Sequence, residues 1–213
     1  MSPMASLVSD VMTRNVVCVR EGAEYKDIVQ VMRRRGVSAF PVLDARDRVV
    51  GVVSEDDLLV KEGLLGAETH GTLRHRDRAK AAALTAGKLM SRPAITIGPG
   101  ATVADAARTM HSKHVKRLPV VTGASKLVGI VSRIDLLGVY DRPDEEIGGE
   151  IASKVIEGEF ALDPLAFTVH VTRGVVTMSG PADTETIAHS LLLAVRQVAG
   201  VVAVRDRLSY RRY

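Results

Sequence analysis

The chain has 213 residues, a formal net charge of +4 and one cysteine, Cys18. One cysteine excludes an intramolecular disulfide framework, and no apolar run approaches the roughly 20 residues that span a bilayer. The first residues lack the basic and apolar regions of a secretory signal, so we expect a cytoplasmic protein. Trp is absent and aromatic residues make up 3% of the chain, which argues against a stacking surface for single-stranded nucleic acid.

The first part of the chain predicts a strand, a helix and a hairpin. Residues 16–19 form an apolar run typical of a buried strand, and residues 25–35 repeat apolar side chains with the period of a helix. Two further apolar runs, residues 37–43 and 49–54, are joined by a polar turn and predict a β-hairpin. A closing helix is expected from Glu55 onward.

This pattern returns later in the chain without a gap. The Gly-Val-Val-Ser segment that ends at Ser54 is followed by Asp57, and an offset of 78 residues places Ser132 and Asp135 at the same positions. Internal repeats decide architecture before local propensity does. A unit of roughly 48 residues buries little apolar surface alone, so we expect the two copies to pack about a pseudo-twofold axis with a cleft between them.

The second copy carries the same predicted elements. Thr102 suits a helix N-cap, and Asp105 stands three residues on, in the position of a capping box. In order, this copy predicts a strand over residues 94–97, a helix over 102–113, a hairpin from 115–121 and 127–132, and a closing helix over 133–140.

Periodicity is lost between the copies, over residues 61–79, which indicates an exposed connection. His70 and His75 lie in it and are possible zinc ligands together with Cys18 or His114. No close Cys-x-x-Cys or His-x-x-x-His spacing supports this. Solvated loop histidines are the favoured interpretation, and a metal-binding stress protein is the third-ranked hypothesis.

The order Val-Met-Thr-Arg, Phe-Pro-Val and Gly-Val-Val-Ser-x-x-Asp resembles the CBS domain. The pair from about Val8 to Tyr140 resembles a tandem CBS, or Bateman, module. The resemblance implies mixed α/β and α+β architecture with a β-α-β-β-α unit in duplicate. It also implies a homodimer and adenosine-containing ligands, namely AMP, ADP, ATP or S-adenosylmethionine, in the clefts, with no required cofactor. It does not by itself imply catalysis.

The duplicated serine and aspartate are the predicted ribose contacts: Ser54, Asp57, Ser132 and Asp135. A hydroxyl and a carboxylate at a helix start can hold the paired hydroxyls of a sugar, while spare backbone N–H groups face phosphate. The alternative is that both pairs are helix caps and nothing more.

The two copies differ in charge beside this element. The second copy has Lys116 and Arg117 before its proline, and Arg133 where the first copy has Glu55. Arg offers donors that match phosphate oxygens. We therefore predict that Lys116, Arg117 and Arg133 bind phosphate in the Asp135 half; the alternative is that they are simply exposed. The predicted adenine contacts are apolar: Val16, Val17, Val37, Phe40, Ile95, Val115 and Leu118.

A charged stretch with Pro and Gly, residues 141–149, predicts a second domain boundary. Beyond it we expect a helix over 150–160, strands over 167–172 and 175–180, a helix over 183–198 and a strand over 201–209.

The Gly-Val-Val-Thr-Met-Ser-Gly segment at 174–180 and the Gly-Val-Val-Ala-Val segment at 200–204 resemble the BON domain. This resemblance implies a small α-β-β-α-β domain and, in bacterial envelope proteins, phospholipid attachment. The basic end of the chain could also suit nucleic acid. Its arginines are Arg205, Arg207, Arg211 and Arg212.

The predicted organisation is a first CBS repeat over 1–66, a linker over 67–87, a second repeat over 88–142 and BON over 147–213. No Ser-His-Asp arrangement, P-loop or Gly-x-Gly-x-x-Gly fingerprint appears, so we expect no enzyme. The first hypothesis is an adenosyl-ligand sensor that resembles standalone bacterial regulatory proteins and has an unidentified protein partner. The second is a CBS dimerisation scaffold whose BON domain attaches to a membrane surface or to nucleic acid.

Overall fold

The computed structural model describes residues 6–64 and 83–211, with side chains for 6–60 and 83–210. Two compact units are present. The first, called here the repeat unit, comprises Met12–Ala101 and Arg108–Ser132. The second, called the C-terminal unit, comprises Met1–Val11, Thr102–Ala107 and Arg133–Tyr213. Most of the predicted linker, with His70 and His75, lies outside the described residues.

The helices and strands follow the predicted order of two repeats and a third domain. In chain order they are α1 (Val8–Val11), β1 (Val19–Arg20), α2 (Tyr25–Arg35), β2 (Ala39–Leu43), β3 (Val49–Ser54), α3 (Glu55–Leu64), α4 (Ala86–Leu89), α5 (Val103–Ser112), β4 (Arg117–Thr122), β5 (Lys126–Ser132), α6 (Arg133–Leu137), α7 (Asp144–Glu150), a π-helix (Ile151–Glu159), β6 (Thr168–Thr172), β7 (Val175–Thr184), α8 (Glu185–Arg196) and β8 (Ala203–Arg211).

The first half of the repeat unit is a sheet of order β1-β2-β3 covered by helices. Strand β1 runs parallel to β2, and β2 pairs antiparallel with β3. Helix α2 buries Ile28 and Met32 on its apolar face, where they meet Phe40 and Val53 of the sheet. Gly36 ends the helix with a φ of +62°, a left-handed conformation that glycine adopts without a steric penalty.

The second half repeats the hairpin as β4 and β5, which pair antiparallel. The predicted strands over 16–19 and 94–97 are both wrong in extent. Only Val19–Arg20 is a strand in the first case, and Ile97 makes a single parallel bridge to Val120 in the second. Apolar runs of four residues do not fix the backbone pairing.

Each repeat sends its lead-in segment to the hairpin of the other repeat. Thr13 exchanges two backbone hydrogen bonds of 2.9 Å with Ile130. Ser91 exchanges equivalent bonds of 3.1 and 2.9 Å with Val52. The repeat unit is therefore held together by reciprocal strand-like pairing as well as by apolar packing.

Two equivalent glycines make this pairing possible. A Cβ built on Gly51 would lie 2.4 Å from the sulfur of Met90, and one built on Gly129 would lie 2.5 Å from the sulfur of Met12. Because carbon and sulfur cannot approach so closely, any larger residue would push the methionine away. This contact explains why the Gly-Val-Val-Ser and Gly-Ile-Val-Ser segments both begin with glycine.

The C-terminal unit packs α7, the π-helix and α8 against one face of the sheet β6-β7-β8. Strand β7 pairs antiparallel with β6 and parallel with β8. Its core includes Ile151, Val155, Met178 and Leu191, all fully buried. This agrees with the predicted α-β-β-α-β order.

The predicted break over residues 141–149 is largely helical. Helix α7 continues directly into the π-helix, so the three charged residues that begin α7 occupy a first turn, where the helix dipole favours carboxylates. Asp144 also accepts hydrogen bonds from the backbone N–H groups of Arg173 and Gly174 at 2.7 and 2.8 Å. This carboxylate ties α7 to the turn between β6 and β7.

Arg142 joins the end of the second repeat to the BON-like domain within the C-terminal unit. Its Nη1 donates to the carbonyl oxygen of Ala199 at 3.1 Å and lies 2.7 Å from Glu150 Oε2. Burial acts to raise the pKa of Glu150, but hydrogen bonds from Lys154 and Arg142 outweigh it and the pKa lies below its usual value. The domain boundary is therefore a packed junction.

Candidate functional site

A cavity of about 280 Å³ opens in the repeat unit and takes its walls from both repeats. It lies where the starts of β2 and β4 meet the start of α3. The first repeat contributes Ser38, Val52, Ser54, Glu55, Asp56 and Asp57. The second contributes Ser91, Ile95, His114, Val115, Lys116 and Arg117.

Asp57 is the buried carboxylate of this cavity, with 7% of its surface exposed. Its Oδ2 accepts from the backbone N–H of Ser54 at 2.8 Å and from the Ser54 hydroxyl at 2.9 Å. Its Oδ1 accepts from the Ser91 hydroxyl at 3.3 Å. Asp57 therefore caps α3 and at the same time receives a long hydrogen bond from the opposite repeat.

Two cations of the second repeat line the same cavity. Lys116 Nζ lies 3.2 Å from Asp56 Oδ2, and the two side chains are 64% and 70% exposed. Arg117 Nη2 donates to Ser38 Oγ at 2.6 Å. Both contacts join one repeat to the other.

These positions correct the predicted pairing of charges. The sequence suggested that Lys116 and Arg117 serve the Asp135 half, whereas both line the cavity that contains Asp57. The offset of 78 makes Lys116 the counterpart of Ser38. The pseudo-twofold arrangement places equivalent residues of the two repeats next to each other. Lys116 and Arg117, which precede the proline of the second repeat, therefore lie beside Ser54 and Asp57 of the first repeat.

The other predicted ribose and phosphate residues lie in different units. Ser132 ends β5 and pairs with Arg117 in the hairpin register. Arg133 and Asp135 belong to α6 in the C-terminal unit. There Asp135 lines a cavity of about 470 Å³ with Arg142. The joint role of Ser132, Arg133 and Asp135 in ligand binding stays a prediction.

The predicted adenine residues divide into three groups. Ile95 and Val115 line the cavity that contains Asp57. Phe40 and Leu118 are 0% exposed and do not line this cavity, and their contact with adenine stays a prediction. They follow the pocket-lining residues Ala39 and Arg117 on β2 and β4, where the chain has already entered the core. Three others, Val16, Val17 and Val37, are half-buried outside the lining of this cavity.

Sequence reasoning missed Asp56 and Ser91, both of which line the cavity. At an offset of 78, Ser91 corresponds to Thr13, which also carries a hydroxyl group. This repeated hydroxyl could have identified Ser91 as a candidate from the sequence. Asp56 has the apolar counterpart Ile134, so only the three-dimensional pairing reveals its role. Among residues 6–64 and 83–211, no group of three or more His, Cys, Asp or Glu residues could hold a metal ion.

The described part of the chain contains no helix that is both long and apolar enough to cross a membrane.

Comparisons with known proteins agree with this architecture. The CBS domain family matches residues 8–62 and 86–142, more than half of the chain, and the BON domain family matches residues 143–212. An uncharacterized protein of Methanocaldococcus jannaschii is 28% identical over 155 residues, which cover 62% of this chain and 89% of that protein. A second uncharacterized protein, from Methanopyrus kandleri, is also 28% identical, and the match spans 61% of its length.

Solved structures show the same fold for the repeats. The crystal structure of CBSX2 in complex with AMP superposes with a TM-score of 0.56 at 28% identity and covers 62% of this chain and 95% of that one. The CBS domain pair of protein MJ0100 shares the fold with a TM-score of 0.52 at 18% identity, over 64% of this chain and 97% of that one. This chain therefore belongs to the CBS domain family, as two CBS repeats followed by a C-terminal BON domain.

Proposed function

We propose that the repeat unit is a non-catalytic regulatory module that binds an adenosine-containing ligand in the cavity around Asp57. One observation supports this above all: the cap of one repeat and two cations of the other, Lys116 and Arg117, line a single cavity. CBSX2, which is 28% identical over the matched region, has a crystal structure in complex with AMP. CBS domain pairs are typically regulatory.

The cavity offers a partner for each part of such a ligand. A ribose hydroxyl can replace the Ser91 hydroxyl at Asp57, because the existing hydrogen bond of 3.3 Å is long. Ile95 and Val115 supply apolar surface for the base. Lys116 and Arg117 supply the charge that a phosphate group needs.

Binding of this kind would also carry a signal. Displacing Ser91 from Asp57 alters a contact between the repeats, and the Ser91 segment pairs with Val52 on β3. A ligand shifts an equilibrium only through different affinities for two states. The proposed states differ in whether Asp57 holds Ser91 or the sugar.

Calorimetric titration of the full chain with adenosine, AMP, ADP, ATP and S-adenosylmethionine tests the proposal. We expect micromolar binding of AMP that weakens at least about tenfold when Lys116 and Arg117 are both changed to Gln, since each charged hydrogen bond contributes about 1.5–3 kcal/mol. Lys113→Gln is the control for loss of one positive charge at the surface, because Lys113 is exposed and does not line the cavity. Absence of binding for all five ligands would refute the function.

We further propose that the protein forms a homodimer through its closing helices. Leu59 on α3 and Leu137 on α6 are counterparts at an offset of 78, and they are 61% and 57% exposed. Ile134 on α6 is 73% exposed. Exposed apolar side chains at these positions favour contact with a second copy of the chain. Sedimentation equilibrium should give the dimer mass, and Leu137→Glu should reduce it to the monomer mass.

A second candidate function concerns the outer face of the sheet β6-β7-β8. Arg205 and Arg207 are exposed there, and the register places them beside Thr177 and Ser179 of β7. His170 of β6 pairs with Thr177, so it extends the cross-strand row that Arg205 and Thr177 form. Along these two cross-strand rows the described side chains offer guanidinium, imidazole and hydroxyl groups and no carboxylate, which suits phosphate groups.

Co-sedimentation with anionic vesicles and a fluorescence assay with duplex DNA separate the possible sources of phosphate. Either interaction should weaken as salt rises and when Arg205 and Arg207 are both changed to Gln. Arg196→Gln on α8 is the control, because it removes one positive charge from a helix of the same unit. If the double variant binds vesicles and DNA as well as the unmodified chain does, this face does not bind phosphate groups.

A further inference from the structure

The walls of the cavity around Asp57 carry more negative than positive groups. The carboxylates of Glu55, Asp56 and Asp57 face the two cations Lys116 and Arg117. With histidine counted as neutral, the formal charge of this lining is one unit negative. Among the described lining residues there is no third Lys or Arg. If the first phosphate of a ligand binds these two cations, a second or third phosphate therefore has no further Lys or Arg of the lining to bind.

Lys116 is already paired before any ligand arrives. Its Nζ lies 3.2 Å from Asp56 Oδ2, across the boundary between the two repeats. A phosphate group that binds Lys116 must therefore compete with the Asp56 carboxylate. A ligand without phosphate meets no such competition, because it has no need of Lys116.

The size of the cavity agrees with a compact ligand. Its volume of about 280 Å³ lies just below the range of roughly 300–1,000 Å³ found for small-molecule sites. A cavity this small favours a ligand with one phosphate over one with three, because further phosphates would have to extend to the rim. Asp56 stands at this rim, with 70% of its side chain exposed.

We propose that Asp56 determines how many phosphates the ligand carries, so that the cavity selects an adenosine monophosphate over a triphosphate. One phosphate group takes the place of the Asp56 carboxylate at Lys116. Further phosphates are repelled by Asp56 and Glu55, which remain at the wall. This inference rests on the proposed function, because it concerns the ligand of the same cavity.

Asp56→Asn tests the inference directly, with Asp27→Asn as its matched control. Asp27 lies on α2 of the same repeat, is exposed and does not line the cavity, so its substitution changes the net charge of the protein equally. The full chain and both variants are titrated calorimetrically with adenosine, AMP and ATP without magnesium, at low and at high salt.

We expect the unmodified chain to bind AMP about tenfold more tightly than ATP at low salt. Asp56→Asn should tighten ATP binding about tenfold and AMP binding about threefold, and should leave adenosine binding unchanged, because the removed charge acts only on charged ligands. Asp27→Asn should change none of the three. High salt should reduce the preference for AMP, because the exposed pair is screened.

Three results would overturn the inference while leaving the adenosine site in place. They are a preference of the unmodified chain for ATP, an equal or absent shift of AMP and ATP in Asp56→Asn, and the same shifts in Asp27→Asn. Failure of all three ligands to bind the unmodified chain would instead remove the proposed function itself. The two kinds of failure are therefore distinguishable in one set of titrations.

Discussion

Two helices of this chain begin with the same kind of cap, but only one of these caps lines the cavity of the repeat unit. At α3, Asp57 accepts from the N–H and the hydroxyl of Ser54 at 2.8 and 2.9 Å. At α5, Asp105 accepts from the N–H and the hydroxyl of Thr102 at 3.1 and 2.7 Å. The hydrogen bonds are almost interchangeable.

The surroundings of the two carboxylates differ. Asp57 also accepts from Ser91 of the other repeat and stands in a wall with Lys116 and Arg117. Asp105 has no place among the residues that line this cavity. A capping aspartate therefore indicates where a helix starts. Whether it can also bind a ligand depends on the groups that other parts of the chain place around it.

The largest expected effect separates the two caps by ligand affinity. Asp57→Asn should weaken AMP binding about 100-fold, since loss of charged hydrogen bonds costs about 2.7 kcal/mol. Asp105→Asn should leave AMP binding within about twofold. Both variants should lose about 1 kcal/mol of unfolding free energy from the damaged cap. Calorimetry and urea unfolding measure the two quantities, and equal losses of affinity would abolish the distinction.

A somewhat smaller effect is expected at the glycine that holds the Ser91 segment in place. A Cβ at Gly51 would lie 3.0 Å from the carbonyl oxygen of Ser91 as well as against Met90. Gly51→Ala should therefore reduce the free energy of unfolding by about 1–3 kcal/mol, as overpacked positions do. Gly22→Ala is the control, because no atom lies within 4 Å of its Cβ position. Urea unfolding curves that coincide for the two variants would contradict the close approach.

The Ser91 hydroxyl offers a finer comparison. Ser91→Ala removes the group that occupies Asp57 Oδ1, so the ligand-free protein should lose about 0.5–1 kcal/mol of stability. AMP should then bind about threefold more tightly, since the sugar no longer has to displace a hydroxyl. Ser112→Ala serves as control, because its hydroxyl also makes a hydrogen bond of 3.3 Å, to Thr109. Weaker AMP binding in Ser91→Ala would show that Ser91 itself holds the ligand.

The smallest effect concerns a carboxylate that is held by cations rather than by a serine. The pKa of Glu150 is lower in the folded protein than in the unfolded chain, so its stabilising contribution is present above the unfolded pKa and is lost as pH falls through the folded one. Glu150→Gln should lower stability at pH 7 by less than about 1 kcal/mol. The difference should shrink below pH 4.5. Urea midpoints that differ by the same amount at pH 7 and pH 3 would be inconsistent with this titration.

Most of the fold was predictable because the chain repeats itself. The helix over Tyr25–Arg35 and both hairpins agree with their predicted positions. The Thr102 and Asp105 cap is confirmed. The short strands failed, because an apolar run of four residues does not specify which backbone groups pair, and these two runs are mostly half-buried rather than buried. The helix over Asp144–Glu150 was missed, because Pro143 before it and the two glycines within it indicate a break unless the contacts of Asp144 and Arg142 are known.

The residue types of the candidate site were predictable from the sequence. Which residues of the two repeats lie together in one cavity was not. Ser54, Asp57, Lys116 and Arg117 were all named from sequence and all line one cavity. Their assignment to opposite halves was wrong, because a pseudo-twofold arrangement brings each repeat's strand start to its neighbour. Asp56 has no repeat signature, so its contact with Lys116 could emerge only from the folded chain.

The reciprocal pairing of the lead-in segments has a consequence for how the protein can be cut. Thr13 completes the hairpin of the second repeat, and Ser91 completes that of the first. A fragment that ends between the repeats would present Val52 as an unpaired edge and would carry Thr13 with no hairpin to join. Two such fragments would satisfy each other, so a severed half should associate with a second copy of itself. The tandem chain is, in this sense, a dimer whose two subunits have been spliced into one polypeptide.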